Sequence, residues 1–394
     1  MTKIAIITSH PIQYYAPWFR HLAETTGLDI KVFYLWDFGV TKKVDVDFQQ
    51  AIEWDIPLLD GYDYEFVPNV SPNPGVHNFW GLQNPSLVGQ VKAYNPDAVL
   101  LMSYNYASIY RFLATWNSHQ IPLLFRGDSH RLLPTSGIKA IARQQFITQI
   151  YRRFAACLYV GKANYGYFRY HGVCERSLFF SPHAVENERF IAQAENAALQ
   201  AKAWKQELGI PDDHAVILFA GKFETKKRPL DLLNAFLQAN IKDASLLFVG
   251  AGLLLSDLKQ IAAGHSNIYF APFQNQSWMP RTYAIADLLV LPSYGKEETW
   301  GLVVNEAMCL GRPVIVSSHV GCAQDLVHPH RNGLIFSAGN VSEAADSLRE
   351  ALSDRQRLKA WGKESSQIVS HYSYVQATQG LKQALDYLNL DNNK

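Results

Sequence analysis

Short apolar runs recur along this chain, and a stretch of helical periodicity follows most of them. Ile4–Ile7, Leu28–Tyr34, Ala98–Met102, Pro122–Phe125 and Ala156–Val160 form one set. Ala215–Gly221 (AVILFAG), Ser245–Gly250, Ile268–Phe270, Ala286–Pro292 and Pro313–Ser317 form a second. These runs are continuously apolar, not alternating, as in strands covered on both faces, and helices between them supply the cover. The expected fold class is therefore α/β, with two doubly wound, Rossmann-like parallel-sheet domains facing one another across a cleft. A length of 394 residues suits two domains better than one core.

The boundaries follow from where the rhythm stops. It pauses near Ser181–Arg189 and restarts at Ala215, with a polar stretch rich in Ala, Gln, Glu and Lys between. The expected division is a first domain over 1–185, a linker over 186–211, a second domain over 212–372 and a C-terminal helix over 373–394 that packs back on the first domain. Segment 40–80, rich in Pro, Asp, Asn and aromatics, is expected to hold an inserted hairpin or long loops. The aromatic run Tyr14, Tyr15, Trp18, Phe19 reads as helix core, or as a surface that meets an acceptor or a membrane.

Bulk charge excludes little beyond nucleic acid: the formal net charge is +1. Its distribution is uneven. Residues 1–110 carry six Lys/Arg against eleven acids, and residues 111–176 carry ten against two. The helical pattern over Ile138–Phe154 has apolar residues at 138, 141, 146, 150 and 154, with Lys139, Arg143, Arg152 and Arg153 beside them. Such a helix can lie on an anionic leaflet, and it can equally be a solvated basic face. Four unpaired-looking cysteines, the lack of a run of about 18 apolar residues, and a first apolar stretch too short for a signal peptide make the expected location cytoplasmic. A peripheral place at the inner face of the cell membrane is left open.

In open α/β sheets ligands bind beyond the carboxyl ends of strands, so the residues just after each run carry the functional reading. After AVILFA comes GKFETKKRP (221–229), which crowds Lys222, Lys226, Lys227 and Arg228 before a helix that Pro229 opens. Four cations beside the positive end of a helix dipole are unfavourable unless an anion joins them, and a diphosphate fits. A solvated basic loop is the plain alternative. VGAG (249–252) places Gly250 and Gly252 after another strand, where backbone can approach a ligand, or where there is only a turn. EETWGLVVNEAM (297–308) then sets Glu298 before a helix that Gly301 starts, with Glu306 five residues inside it and about 7–8 Å further along. The free amides of Trp300, Gly301, Leu302 and Val303 suit phosphate oxygens, whereas carboxylates suit hydroxyls. Two hydroxyl-binding acids flanking a phosphate site describe a nucleotide sugar. Taken alone, Glu306 reads as a surface helix residue and Glu297 as a solvated loop residue.

These motifs resemble the retaining GT-B glycosyltransferases grouped as family 4. Glu298 and Glu306, with seven residues between them, Gly301 and Ala307 resemble that family's paired-glutamate signature, with Trp300 in place of its usual Phe. GKFETKKRP resembles its Gly-Arg-Leu…Lys-Gly element, with Lys222 in the Arg position and Lys227 in the Lys position. GRPVIVSSHVGCAQDLVHPHRNGLIF (311–336) and SPHAVENERF (181–190) resemble two further blocks, with Cys322 replacing a Gly, Asp325 a Glu, Ala184 a Gly and Glu186 an Asp. The likeness is strongest over 215–340. SHPIQYY (9–15) is similar to the start of bacterial members that build surface glycans.

The resemblance implies transfer of a sugar from a nucleotide-diphosphate sugar to a hydroxyl acceptor, a glycan or a lipid-linked precursor, with anomeric retention. It implies Lys222 and Lys227 at the diphosphate, Glu306 on the ribose and Glu298 on the transferred sugar, with Gly221, Gly250 and Gly252 lining the donor site. No cofactor is expected beyond the nucleotide-sugar co-substrate, and no metal. In the first domain Asp128 and His130, in LLFRGDSHR, are the polar candidates for catalysis, although Arg126 and Asp128 can simply pair. His10, Tyr104, Asn105 and Arg126 are the candidates for the acceptor. Another enzyme on the same fold, such as a sugar-nucleotide epimerase or a phosphorylase, and a non-catalytic glycan-binding subunit are the competing readings.

Overall fold

The computed structural model describes residues 2–41, 43–45, 50–133 and 136–391. Two units are present. One comprises the chain up to Lys43, Ile52–Pro182 and the part from Tyr374 onward, and the other contains His183–Ser373. The chain passes between them at Pro182–His183 and again at Ser373–Tyr374.

The first unit holds a seven-stranded sheet, ordered Asp63–Phe66, Asp29–Tyr34, Lys3–Thr8, Ala98–Leu101, Leu123–Gly127, Ala156–Tyr159, Leu178–Phe180. Neighbours pair in parallel throughout. Its faces are buried in two layers. One gathers Ile7, Phe33, Phe112, Phe125, Tyr151 and Phe168. The other gathers Ile4, Trp18, Phe19 and Leu100, with Ala377, Leu381 and Ala384 of the C-terminal helix Tyr374–Asp391. That helix is fixed by Trp18, whose indole N–H donates to Thr378 Oγ1 at 3.1 Å. Trp18 and Phe19 are thus core residues of this unit. In segment 40–80, Lys43–Asp45 and Gln50–Ile52 form a separate two-stranded sheet.

The second unit holds a six-stranded sheet in the order Ile268–Ala271, Ala244–Val249, Ala215–Ala220, Leu288–Leu291, Val314–Ser317, Gly333–Phe336, with parallel pairing at each step. Residues 186–211, expected as a linker, form the helices Asn187–Ala192 and Ala194–Glu207 within this unit. Arg189 joins them to it by donating to the Gln276 carbonyl and side chain, each at 3.0 Å.

In the helix Ile138–Tyr151, Ile147, Ile150 and Tyr151 face the core, but Ile138, Ile141 and Phe146 are exposed. The helix therefore has two apolar faces.

Candidate active site

In each sheet the strand order reverses once, and the reversal fixes where a crevice opens. In the second unit it lies between Ala215–Ala220 and Leu288–Leu291. The segments leaving those two strands are Gly221–Lys227 and Pro292–Glu298, which the sequence had singled out separately. They meet side by side: the Tyr294 N–H donates to the Lys226 carbonyl at 2.8 Å.

Lys227 and Glu298 form an ion pair across this point, and Ser293 Oγ donates to the same Glu298 oxygen at 2.7 Å. The serine is fully buried and Glu298 is 9% exposed. Two of the remaining cations are also matched. Lys226 lies 3.5 Å from Glu224 and 4.0 Å from Glu297, and Arg228 donates to Asp231 at 2.8 Å. This corrects the reasoning about crowding: neighbouring carboxylates relieve the repulsion that a bound anion was expected to relieve. Glu297 stays exposed.

Gly301 caps the helix Leu302–Cys309 with φ of +96°, and a Cβ there would lie 2.8 Å from Leu291 and 3.0 Å from Val320. Only glycine meets both demands. The helix is not on the surface, because Val304 through Cys309 are all buried. Glu306 is 1% exposed and accepts a hydrogen bond of 2.6 Å from the Tyr283 hydroxyl. Burial of a carboxylate beside a hydroxyl donor, close to a helix N-terminus, sets aside the reading of Glu306 as a solvated helix residue. The turn is strapped from behind, where Gly321 N–H donates to Glu298 O at 3.0 Å and Cys322 N–H to Trp300 O at 2.9 Å. Burial pushes the Cys322 thiol well above its ordinary range, so it stays protonated.

Trp300 is nearly buried, and its indole N–H donates to Asn305 Oδ1 at 2.8 Å. Asn305 in turn donates to the His183 carbonyl at 3.4 Å, and the rings of His183 and Tyr372 lie 5.6 and 5.9 Å from that of Trp300. The signature turn is thereby held against both ends of the second unit's chain.

The glycines of VGAG have a packing reason. Gly250 adopts φ of +149°, and a Cβ would come within 2.0 Å of the Gly221 carbonyl; at Gly252 it would come within 2.7 Å of the Phe223 carbonyl. This close approach is between two loops of the protein. Lys222 is half-buried. Ser293, Tyr283, Asn305 and His183 were missed by sequence reasoning. Only Ser293 carried a signal, as the polar residue ending a buried strand.

In the first unit the sheet order reverses between Lys3–Thr8 and Ala98–Leu101. His10 follows the first of these strands. Its Nδ1 is 2.9 Å from Ser9 Oγ, and its ring meets Trp36 and Phe38 edge-on. Burial, and then His77, lowers its pKa to about 4, so it is neutral near pH 7. Asn105 follows the second strand and is exposed. Two acceptor candidates are corrected. Tyr104 is 8% exposed and packs on Phe125 and Tyr151, so its ring belongs to the core. Arg126 is 3% exposed, donates to the Pro182 carbonyl at 2.8 Å and lies over Trp18, so it anchors the end of the first crossing segment. Asp128 and His130 are both half-buried; His130 Nδ1 accepts from the Leu132 N–H at 3.3 Å. Among the described residues no group of three or more His, Cys, Asp or Glu is arranged to hold a metal.

Known structures share this arrangement of two parallel-sheet units, the GT-B fold. HepE of Anabaena, solved with UDP and glucose, superposes with a TM-score of 0.71 at 17% identity, covering 98% of this chain and 100% of that one. Sucrose-phosphate synthase of Thermosynechococcus elongatus gives 0.70 at 19% identity, with 100% of both chains covered. At such identities the likeness establishes the fold.

Residues 200–367 match the model of the family described as Glycosyl transferases group 1. The sulfoquinovosyl transferase of Arabidopsis thaliana is 27% identical over 219 residues, 50% of this chain and 42% of that protein. A D-inositol 3-phosphate glycosyltransferase of Nocardioides is 32% identical over 189 residues, 42% of this chain and 41% of that protein. The chain thus spans less than half the length of these curated relatives. The matched stretch is the one that carries Lys222, Lys227, Glu298 and Glu306.

Proposed function

We propose that this protein is a retaining glycosyltransferase of the family 4 type, which moves a sugar from a nucleotide-diphosphate donor to a hydroxyl of a glycan or lipid-linked acceptor. The observation that carries the reading is the convergence of Lys227 and Glu298 from the two strands that flank the switch point, beside the helix N-terminus that Gly301 opens. The UDP complex of the Anabaena structure supports a nucleotide-bearing donor, and the names of the curated relatives support glycosyl transfer.

In this proposal Lys222, Lys227 and the amides of Trp300–Val303 take the diphosphate, and Gly221, Gly250 and Gly252 shape the loops around it. Glu306, fixed by Tyr283, takes ribose hydroxyls. Glu298 moves from its pairing with Lys227 to the hydroxyls of the transferred sugar, which frees the lysine for phosphate oxygens. The bond from the anomeric carbon to the diphosphate breaks as the acceptor oxygen bonds to that carbon on the same face, and the acceptor proton passes to the departing phosphate. The transition state concentrates positive charge on the ring and negative charge on the leaving group. Cations and oriented amides at the leaving group are therefore the largest stabilising contribution, and the proposal assigns none of it to a metal. His10 and Asn105 are assigned to the acceptor, and Asp128 and His130 to catalysis. A bacterial surface glycan as product, and a peripheral place on a membrane, belong to the same proposal.

The test is incubation with a panel of UDP- and GDP-sugars, with and without hydroxyl acceptors. Acceptor-dependent release of nucleotide, with the α or β configuration of the donor kept in the product, supports the proposal. An isomerised donor makes the protein an epimerase, and failure to bind any nucleotide makes it a non-catalytic subunit.

A further inference from the structure

The segment Ser317–Cys322 straps the loop that carries Glu298. Its rungs at Glu298 and Trp300 run from backbone to backbone. Two more stand nearer the strand ends. The buried Ser317 Oγ donates to the Ser293 carbonyl and accepts from the His319 N–H at 3.3 Å. The His319 ring then reaches back to the loop, where its Nδ1 accepts from the Gly295 N–H at 3.2 Å. Of the groups in these rungs, the imidazole is the one that changes its hydrogen-bonding character near neutral pH.

The loop is shaped to meet that ring. Gly295 adopts φ of +106°, and a Cβ there would meet nothing within 4 Å. The glycine is therefore required by backbone conformation and not by crowding. The neighbouring Tyr294 meets the His319 ring edge-on at 4.9 Å, and the Arg228 guanidinium lies over the same tyrosine at 5.6 Å. Glu298 follows Gly295 by three residues, and its carboxylate is the one paired with Lys227.

We propose that His319 is a positioning residue, whose neutral imidazole holds the loop Tyr294–Thr299 and so keeps Glu298 in place. Accepting at Nδ1 requires a lone pair there, with the ring proton on Nε2. A second proton puts an N–H at both nitrogens, sets donor against donor at Gly295 and opens the rung. Burial lowers the His319 pKa from its ordinary 6.5, so the ring is neutral at pH 7 and the rung is lost only as pH falls through that lowered value. The charged groups on the elements around it are Arg228, at the Tyr294 ring, and Lys296 and Glu297, exposed on the loop itself. The rung is a property of the fold; its effect on turnover rests on the transferase reading of Glu298.

The experiment compares H319N, H319F and H319A with the parent. The Asn Oδ1 replaces Nδ1 with an acceptor that does not titrate, Phe keeps a ring against Tyr294 without an acceptor, and Ala removes both. Hydrogen–deuterium exchange of the peptide 293–300 at about pH 7.5 should quicken roughly fivefold in H319F and H319A, the factor of one ordinary hydrogen bond, and stay at the parent rate in H319N. Unchanged protection of the strand Ala215–Ala220 shows that the fold is intact, and H319A decides the matter if H319F does not fold. With an active donor, the parent's kcat/KM should fall on an acidic limb below pH 6.5 that H319N moves to lower pH. Unchanged exchange in the variants that lack the acceptor overturns the proposal. So does an H319N that exchanges as they do, or an acidic limb identical in the parent and H319N. Quickened exchange, rescued by Asn, in a protein that binds no nucleotide sugar supports the rung and tells against the transferase reading alone.

Discussion

Trp300 and Asn305 are predicted to act as one unit. Trp300 is 3% exposed and Asn305 is fully buried, and the indole N–H donates to Asn305 Oδ1 at 2.8 Å. W300F removes the donor and leaves Asn305 Oδ1 short of a partner in a dry site. N305L removes the acceptor, strands the indole N–H and frees the His183 carbonyl. Each orphaned buried polar group costs about 1–3 kcal/mol, so each single substitution should cost about 2 kcal/mol. The double variant W300F/N305L removes both members and should cost less than the sum by about 1–2 kcal/mol. With about 2–4 °C of Tm per kcal/mol for a domain of this size, the singles should unfold roughly 4–8 °C early. With two units in the chain, the transition to follow by calorimetry is the one that UDP shifts. Costs that add to within about 0.5 kcal/mol would refute the reasoning, because independent sites add and a shared hydrogen bond does not. Donor KM should rise in both singles and partly recover in the double variant, since the turn carries the amides assigned to the diphosphate.

K227A should lower kcat by about 10²–10³-fold with a smaller effect on donor KM, as expected of a group that acts on charge developing in the transition state. Y283F, which removes the 2.6 Å bond to Glu306, should mainly raise donor KM, and steady-state kinetics with varied donor separates the two. G301A should destabilise the second unit by about 1–3 kcal/mol, from a positive φ and contacts of 2.8 and 3.0 Å that a Cβ cannot relieve, as read by urea unfolding. The first unit should lose stability in acid. Burial lowers both His10 and His171 from 6.5 to about 4, so between those values the unfolded chain binds protons that the folded chain refuses. Stability then falls as pH drops through that window, by at most about 3 kcal/mol per histidine, and denaturant midpoints of H171N should show a flatter pH dependence than the parent.

The sequence was enough to place strands, because a run such as AVILFA has one low-energy environment, a sheet covered on both faces. It also singled out the loops that carry Lys227 and Glu298, which lie side by side because residues after neighbouring parallel strands collect at one edge of a sheet. It left open which way the helix Ile138–Tyr151 faces, because its apolar residues fit a single stripe by period but point to two faces. Periodicity records which side chains are apolar and says nothing of how many surfaces they must meet. Tyr104 and Arg126 failed for a related reason. Their position after or within a strand is compatible with a crevice, but the aromatic core claimed one and the Pro182 carbonyl the other.

What the sequence determined by itself was the layer architecture and the identity of the charged and glycine-bearing loops, because local pattern and backbone sterics dictate both. What only the tertiary structure decided was the set of pairings. Lys227 with Glu298, Tyr283 with Glu306 and Trp300 with Asn305 include partners as far as 71 residues apart in sequence. No local preference selects such partners. They are chosen because a buried polar group must find its partners among the neighbours that the fold brings to it.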